Sequence, residues 1–312
     1  MKKNSLIYVA GDTGLVGSAL IRILNRYGYK NILTAKHNEL DITDIKQTED
    51  FFKKYKPEYV FFAAAKVGGI YANDTRPADF IYPNLMIQSN VIHMSYKYRV
   101  KKLLFLGCAC LYPKICKQPI KEEYLLSGTV EPTNEPYSVA KISGIKMCQA
   151  YNKQYGTNFI VAMGANIYGT GDNFKESGHV VASLIARFHD AKVSEKKSVV
   201  IWGTGKPRRE FLYNEDFADA CIFLMNNYNE NDVVNIGSGE DIAIMDLAEM
   251  IKKIVGFKGE IVKDLSRPDG TMKKVLDVSK INSLGWRHKI SLEQGIEETY
   301  KWFLKNYDRI KK

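Results

Sequence analysis

The 312-residue chain lacks any run of about 18 uncharged apolar residues, the least that a membrane-crossing helix requires. Its opening, MKKNSLIYVAG, passes into strand-like and turn-like sequence without the apolar segment of a secretion signal, so a cytoplasmic protein with no membrane partner is expected. Cysteine is scarce. Five residues, Cys108, Cys110, Cys116, Cys148 and Cys221, make an odd set that argues against disulfides in a reducing compartment. Cys148 and Cys221 lie in apolar helical contexts and read as small core residues. No second Cys/His cluster completes a tetrahedral set around Cys108 and Cys110, so no metal is expected. There is no internal repeat, no low-complexity linker and no basic stripe: the formal charge is +10, but cations and acids are interspersed and the dense basic run at the C-terminus is short. That pattern speaks against nucleic acid and suits an anionic small ligand such as a nucleotide or phosphorylated sugar.

What is present is an ordinary globular composition, 45% hydrophobic and 26% charged, in a chain longer than one core usually supports. The β-rich runs SLIYVAG, NILTA and YVFFAAA alternate with the amphipathic stretches LVGSALIRILNRYGY and IKQTEDFFKKYKP. In the first helix Val16, Ala19, Ile23 and Tyr27 form a stripe facing a sheet. Strands apolar on both faces imply a parallel sheet covered by helices, hence an α/β Rossmann-type, doubly wound fold with a smaller C-terminal α/β lobe. Further elements are a helix near 84–98, the strand KKLLFLG, a helix opening at EPYSVAK, the strand NFIVAMGA, the helix HVVASLIARFHD, the strand SVVIWG, the helix AIMDLAEMIKKIVG and a terminal helix, SLEQGIEETYKWFLKNY. The expected division is a dinucleotide-binding domain over 1–165, with 212–237 returning to it, and a substrate lobe over 166–211 and 238–312.

VAGDTGLVG places Gly11, Gly14 and Gly17 between a strand and a helix, where glycine permits a tight turn and close approach of a pyrophosphate to the helix N-terminus. At the end of the second strand an acidic residue would favour NAD; TAKHNELDI offers Lys36 and His37 instead, which favours NADP(H). EPYSVAK sets Tyr137 and Lys141 four apart on one helical face, where an ammonium would favour the phenolate and bring the pair into range for proton transfer to a carbonyl. In GCACLYP, Cys108 and Cys110 would share one face of an extended strand with Cα atoms about 7 Å apart, beyond disulfide reach.

With KVGGIYAN, PADFIYPN, LLFLGCACLYPK, EPTNEPYSVAK, IYGTGDNF, VVIWGTGKPRREFL and SRPDGTMKKVLDV, the chain resembles the extended short-chain dehydrogenase/reductase family over nearly its whole length, and within it the GDP-L-fucose synthase group. The resemblance implies an NADPH-dependent 4-keto reductase with 3,5-epimerase activity on a GDP-4-keto sugar. Tyr137 would be the acid at the C4 oxygen, Lys141 would hold the nicotinamide ribose, and Cys110 and His179 would be the base and acid that invert C3 and C5. Such chemistry is reasonable in itself, because a C4 ketone acidifies both neighbouring C–H bonds and inversion needs a group on each ring face. Cys108 stands where the family carries Ser or Thr, a poorer donor to the keto oxygen; losing such a donor outright costs about two to three powers of ten. The implied cofactor contacts are Gly11, Thr13 (an Arg in relatives), Gly14, Leu15, Val16, Gly17, Lys36, His37, Asp41, Ile42, Ala64, Lys141, Gly164, Asn166, Ile167 and His179. Asp41 and Ile42 would flank the adenine. Arg187, Trp202, Arg209 and Asp269 would contact the GDP-sugar. Gly164 and Ala165 replace the family's Pro-Thr and would remove bulk beside the nicotinamide, so that a larger GDP-4-keto-heptose is as plausible as a 6-deoxyhexose. The alternatives are a C4-reductase without epimerisation on such a heptose, an NAD-retaining nucleotide-sugar 4-epimerase, or a dehydratase; a non-enzymatic dinucleotide sensor fits the catalytic set poorly. A homodimer through the helices near 84–98 and 137–153 is expected by analogy.

Overall fold

Short apolar strands and amphipathic helices alternate as the sequence pattern requires. In a computed structural model, which describes residues 1–175, 178–267 and 269–311, the order is β1 (Ile7–Ala10), α1 (Leu15–Arg26), β2 (Ile32–Leu33), α2 (Ile45–Tyr55), β3 (Tyr59–Phe62), α3 (Ile70–Thr75), α4 (Ala78–Lys97), β4 (Lys102–Cys108), α5 (Glu135–Tyr155) and β5 (Phe159–Gly164). There follow β6 (Asn166–Tyr168), α6 (Val180–Val193), β7 (Ser198–Trp202), β8 (Arg208–Tyr213), α7 (Asn214–Asn227), β9 (Val233–Ile236), β10 (Asp241–Ala243), α8 (Ile244–Val255), β11 (Glu260–Asp264), β12 (Lys273–Lys274), α9 (Ser279–Ser283), α10 (Leu292–Lys305) and α11 (Tyr307–Lys311).

Among the described residues the main sheet has six strands in the order β2-β1-β3-β4-β5-β9, every pair parallel. The order in which strands are added reverses between β1 and β3, where a doubly wound sheet opens a crevice at the strands' carboxyl ends. One face carries a core containing Phe62, Phe105, Ile145 and Cys148; the other packs α1 and α7 through Ala19, Leu20, Ile23, Ala218 and Cys221. The second lobe pairs β8 with β10, β12 and β6, and β7 with β11, over a separate core that includes Phe188, Leu247, Ile251 and Phe303. Among the described residues no helix is long and apolar enough to cross a membrane.

Three local expectations are corrected. The α1 stripe is Ala19, Leu20, Ile23 and Leu24; Tyr27 lies at the helix end and turns its hydroxyl to Asp219, because the helix stops there. NILTA pairs over only Ile32 and Leu33. The helix expected near 84–98 begins at Ala78 and carries Pro83 inside it. Pro83 lies near enough to the start to forfeit one backbone bond only, and Asn84 Nδ2 ties the turn by donating to the carbonyls of Phe80 (2.7 Å) and Lys66 (2.9 Å).

The strand β9 is held by the segment before it. Lys102, at the start of β4, is buried, and its ammonium donates to the carbonyls of Leu224 (3.1 Å), Met225 (3.0 Å) and Tyr228 and to Asn229 Oδ1 (3.1 Å). It thereby satisfies the open carbonyls that end α7, where a cation is favoured. Lys102→Met should cost about 1–3 kcal/mol, the penalty for leaving buried acceptors bare; a lowered denaturation midpoint at unchanged m-value would report it.

Candidate active site

The turn after β1 is built from backbone that only glycine tolerates. Gly11 has φ 87° and packs so tightly that a Cβ would stand 2.8 Å from Ala64 N, while a Cβ on Gly17 would run into the Gly11 carbonyl. Gly14 precedes α1 in an extended conformation with no side-chain cap and no acid in the first turn. The helix therefore presents its first N–H groups and positive end unclaimed, and the cradle fits a dinucleotide pyrophosphate. Thr13 at the tip is exposed, and Leu15 and Val16 are half-buried.

Lys36 and His37 are exposed beyond β2, where Lys36 N–H donates to Glu39 Oε2 at 3.0 Å. An acid thus lies near that strand end, engaged by backbone. Asp41 Oδ1 accepts from the hydroxyl (2.7 Å) and N–H (2.9 Å) of Thr43, and these bonds hold its carboxyl below the usual range. Ile42 and Ala64 pack against the same core as Cys108, Cys110, Tyr137 and Ala165.

The cysteine pair departs from expectation. β4 ends at Cys108 and the chain enters a 3-10 turn at Ala109–Leu111, so the two residues are not both extended. Their Cα atoms are 5.4 Å apart, and the structure joins them in a disulfide. In that state neither sulfur can hold or donate a proton; the roles implied for Cys108 and Cys110 belong to the dithiol. Ser138 Oγ, in the first turn of α5, donates to the Cys110 carbonyl at 3.4 Å. Tyr112 Oη donates to Asn235 Oδ1 at 2.6 Å in the buried interior and fixes the chain beyond.

α5 opens with Pro136 in its first turn, a position proline suits, and carries Tyr137 and Lys141 one turn apart. The ammonium of Lys141 is buried, 4.0 Å over the Phe105 ring and 5.9 Å over Phe62. Desolvation pulls its pKa to about 7, and burial pushes the Tyr137 phenol up to about 12. The expectation that Lys141 lowers the Tyr137 pKa has no counterpart in this structure: burial alone pushes the phenol up, and among the described residues Tyr137 Oη has no hydrogen-bond partner.

His179 starts α6 with its side chain 62% exposed, its Nδ1 at 2.9 Å from the buried carboxylate of Asp172. That bond raises its pKa. No contact joins His179 to Tyr137 or Cys110 among the described residues. Gly164 ends β5, and its missing side chain opens no ligand space: a Cβ there would stand 2.9 Å from Cε2 of Phe217 on α7. The expected vacancy beside the nicotinamide is thus filled from the far face of the sheet; Ala165 is buried on the Tyr137 face. Asn166 Nδ2 donates to the Glu210 carbonyl at 2.8 Å, and Ile167 packs on the α1–α7 face.

Arg267 and Thr271 meet two of the four proposed sugar-nucleotide residues, and Asp269, a third, lies between them in sequence. Arg267 places its guanidinium 5.2 Å over the ring of Trp202, which is 58% exposed. Asp269 accepts from N–H (2.9 Å) and Oγ1 (2.7 Å) of Thr204. Arg209 Nη1 donates to the Thr271 carbonyl. Arg187 lies on α6, half-buried. Sequence reasoning missed Phe105, Arg267 and Asp172 as single residues, although each lay inside a motif already singled out, LLFLGCACLYPK, SRPDGTMKKVLDV and IYGTGDNF. Among the described residues no His, Cys, Asp and Glu group is arranged to hold a metal. A concavity lined by Lys3, Tyr27, Tyr29, Asp219 and Trp286 lies at the opposite end of α1 from the glycine turn.

Burial of Lys141 carries a signature. An ordinary lysine keeps its proton to about 10.5 and Lys141 only to about 7, so between those values the unfolded chain binds more protons and the stability contributed by this residue rises with pH. Each unit is worth about 1.4 kcal/mol, offset in part by about 2 kcal/mol from the ring face. Lys141→Met should raise the thermal midpoint most below pH 7, with a gain that shrinks towards pH 10.5; a gain independent of pH would refute the buried-charge account.

Comparison with known proteins bears on this geometry. The NAD dependent epimerase/dehydratase family matches residues 7–237. GDP-L-fucose synthase 1 of Arabidopsis thaliana is 53% identical over 305 residues, 97% of this chain and 94% of that protein. The crystal structure of a GDP-6-OMe-4-keto-L-xylo-heptose reductase from C. jejuni superposes with a TM-score of 0.94 at 43% identity, covering 98% of this chain and 99% of that one. A GDP-mannoheptose C4 reductase from Campylobacter jejuni, with NADP bound, gives 0.91 at 45% identity, covering 97% and 99%. The chain belongs to the NAD dependent epimerase/dehydratase family, in the branch that contains the GDP-L-fucose synthases.

Proposed function

We propose that the protein is an NADPH-dependent epimerase-reductase of the GDP-L-fucose synthase kind, acting on GDP-4-keto-6-deoxy-D-mannose. The observation that carries this is the packing of Tyr137 of α5 against the same core as the cysteine pair at the end of β4, in a chain 53% identical to a GDP-L-fucose synthase. The glycine cradle at Gly11, Gly14 and Gly17 would hold the pyrophosphate, with Lys36 and His37 toward the 2'-phosphate and Asp41 and Ile42 at the adenine. When bound, NADPH supplies the hydride for C4.

The chain's own groups handle protons and position. Reduced Cys110 takes a proton from carbon beside the ketone, and His179 returns one on the other ring face. Tyr137 gives its proton to the C4 oxygen as charge develops there, and Lys141, lying beneath, compensates the phenolate left behind. Trp202 and Arg267 offer a flat cationic surface for guanine, and Arg209 and Arg187 offset the diphosphate. A homodimer through α4 and α5 belongs to the same reading.

A second reading, C4 reduction of a GDP-4-keto-heptose without epimerisation, is favoured by the heptose reductases of closely similar structure and by Cys108. Assays under a dithiol reductant separate the two. With GDP-4-keto-6-deoxy-D-mannose, NADPH should be consumed, and in D₂O deuterium should enter C3 and C5; consumption with a heptose substrate alone, free of label, would replace the first reading by the second. Tyr137→Phe should lower kcat by about 10²–10⁴-fold with NADP affinity retained. Cys108→Ser should raise kcat if the thiol is only a weaker donor to the ketone; an unchanged rate would remove Cys108 from that role.

A further inference from the structure

His179 is the proposed acid of ring inversion, yet an imidazole on an exposed helix start has two nitrogens and a freely turning ring. The structure supplies what fixes it. The segment after β6 turns through Gly169 and Gly171, both at positive φ, and brings Asp172 under the start of α6. The Asp172 side chain is 2% exposed. Its Oδ1 accepts from Asn173 N–H at 2.7 Å and stands 2.9 Å from His179 Nδ1. Its Oδ2 is buried without a hydrogen-bond partner among the described residues. On the other side, the His179 carbonyl accepts from Ser183 N–H at 2.9 Å and anchors the backbone in α6.

A buried carboxylate with one unpaired oxygen needs a positive partner, and among the described residues the ring nitrogen it meets is Nδ1 of His179. Nδ1 therefore keeps its hydrogen towards Asp172, which selects the tautomer and leaves Nε2 on the exposed side of the ring as the working nitrogen. We propose that Asp172 is a positioning residue for the inversion chemistry, holding His179 with Nδ1–H inward and Nε2 outward to exchange a proton with carbon adjacent to the ketone. In that step the Nε2–H bond breaks and a C–H bond forms; the imidazolium becomes imidazole, the enolate becomes the ketone, and Asp172 stays a carboxylate throughout.

The proposal rests on the reading of His179 as the acid, and the experiment tells the two apart. GDP-4-keto-6-deoxy-D-mannose is incubated with the reduced enzyme in D₂O without NADPH, and loss of the C3 and C5 protons is followed by NMR. Asp172→Asn keeps the size and the bond to Asn173 N–H but removes the charge. It should slow exchange on the order of 10²-fold at the same carbon that His179→Gln slows, with KM unchanged and NADP binding and thermal midpoint retained, and Asp172→Glu should recover part of the loss. Wild-type exchange in Asp172→Asn, with His179→Gln impaired, overturns the proposal and leaves the role of His179 standing. Wild-type exchange in His179→Gln overturns the reading beneath it. Loss of exchange together with NADP binding and stability, unrecovered by Glu, makes Asp172 a scaffold residue and also overturns the proposal.

Discussion

The candidate site depends on a cation that has been taken out of water and given aromatic faces in place of hydrogen-bond acceptors. For Lys141 to rest on Phe105, α5 must lie close on the sheet, and Gly144 permits it: a Cβ there would stand 2.6 Å from both Phe105 Cζ and Gln88 Oε1. Gln88 of α4 closes the other side, its amide donating to the Ala140 carbonyl and to Ser143 Oγ. The helix that carries Tyr137 is thereby seated against β4 and α4 at once, with Tyr137 packed against the core beneath it. Burial weakens both members of the pair as ions, and a negative charge forming on Tyr137 is the event that would make the buried ammonium favourable.

Much of this was legible in the sequence because it obeys short-range rules. Gly17 is required by backbone contacts within a few residues and Gly11 by its positive φ, and Tyr137 and Lys141 by helical spacing. Parallel strands announced themselves by being apolar on both faces. What escaped depends on where chains turn or on partners distant in sequence. The spacing argument for Cys108 and Cys110 assumed that the strand continued, whereas it ends at Cys108. The smallness of Gly164 was assigned to ligand space, but its neighbour is Phe217, delivered by a helix that follows the second lobe's first strands. The helix expected near 84–98 starts earlier, at Ala78, because sequence does not show that Asn84 secures the turn around Pro83.

The same contrast separates the two halves of the site. The glycine turn proposed to cradle a dinucleotide stands in one strand-turn-helix unit. The residues proposed for the sugar nucleotide include Trp202 on β7, Arg209 on β8 and Asp269, and the geometry of the two strands depends on the pairing of β11 with β7 and of β12 with β8. Buried Glu210 is a hinge point of that assembly: its carboxylate accepts from Gly239 N–H (2.7 Å) and Leu276 N–H (2.8 Å), fastening β8 to segments on either side of the lobe.

The position of β9 has a consequence for synthesis on the ribosome. The sixth strand of the sheet emerges only after the chain has built β6, α6, β7, β8 and α7. Until then the nascent chain carries β5 as an open apolar margin with its donors and acceptors unmet, the kind of surface on which neighbouring polypeptides add strands. A gene fragment cut near residue 165 would make that transient state permanent.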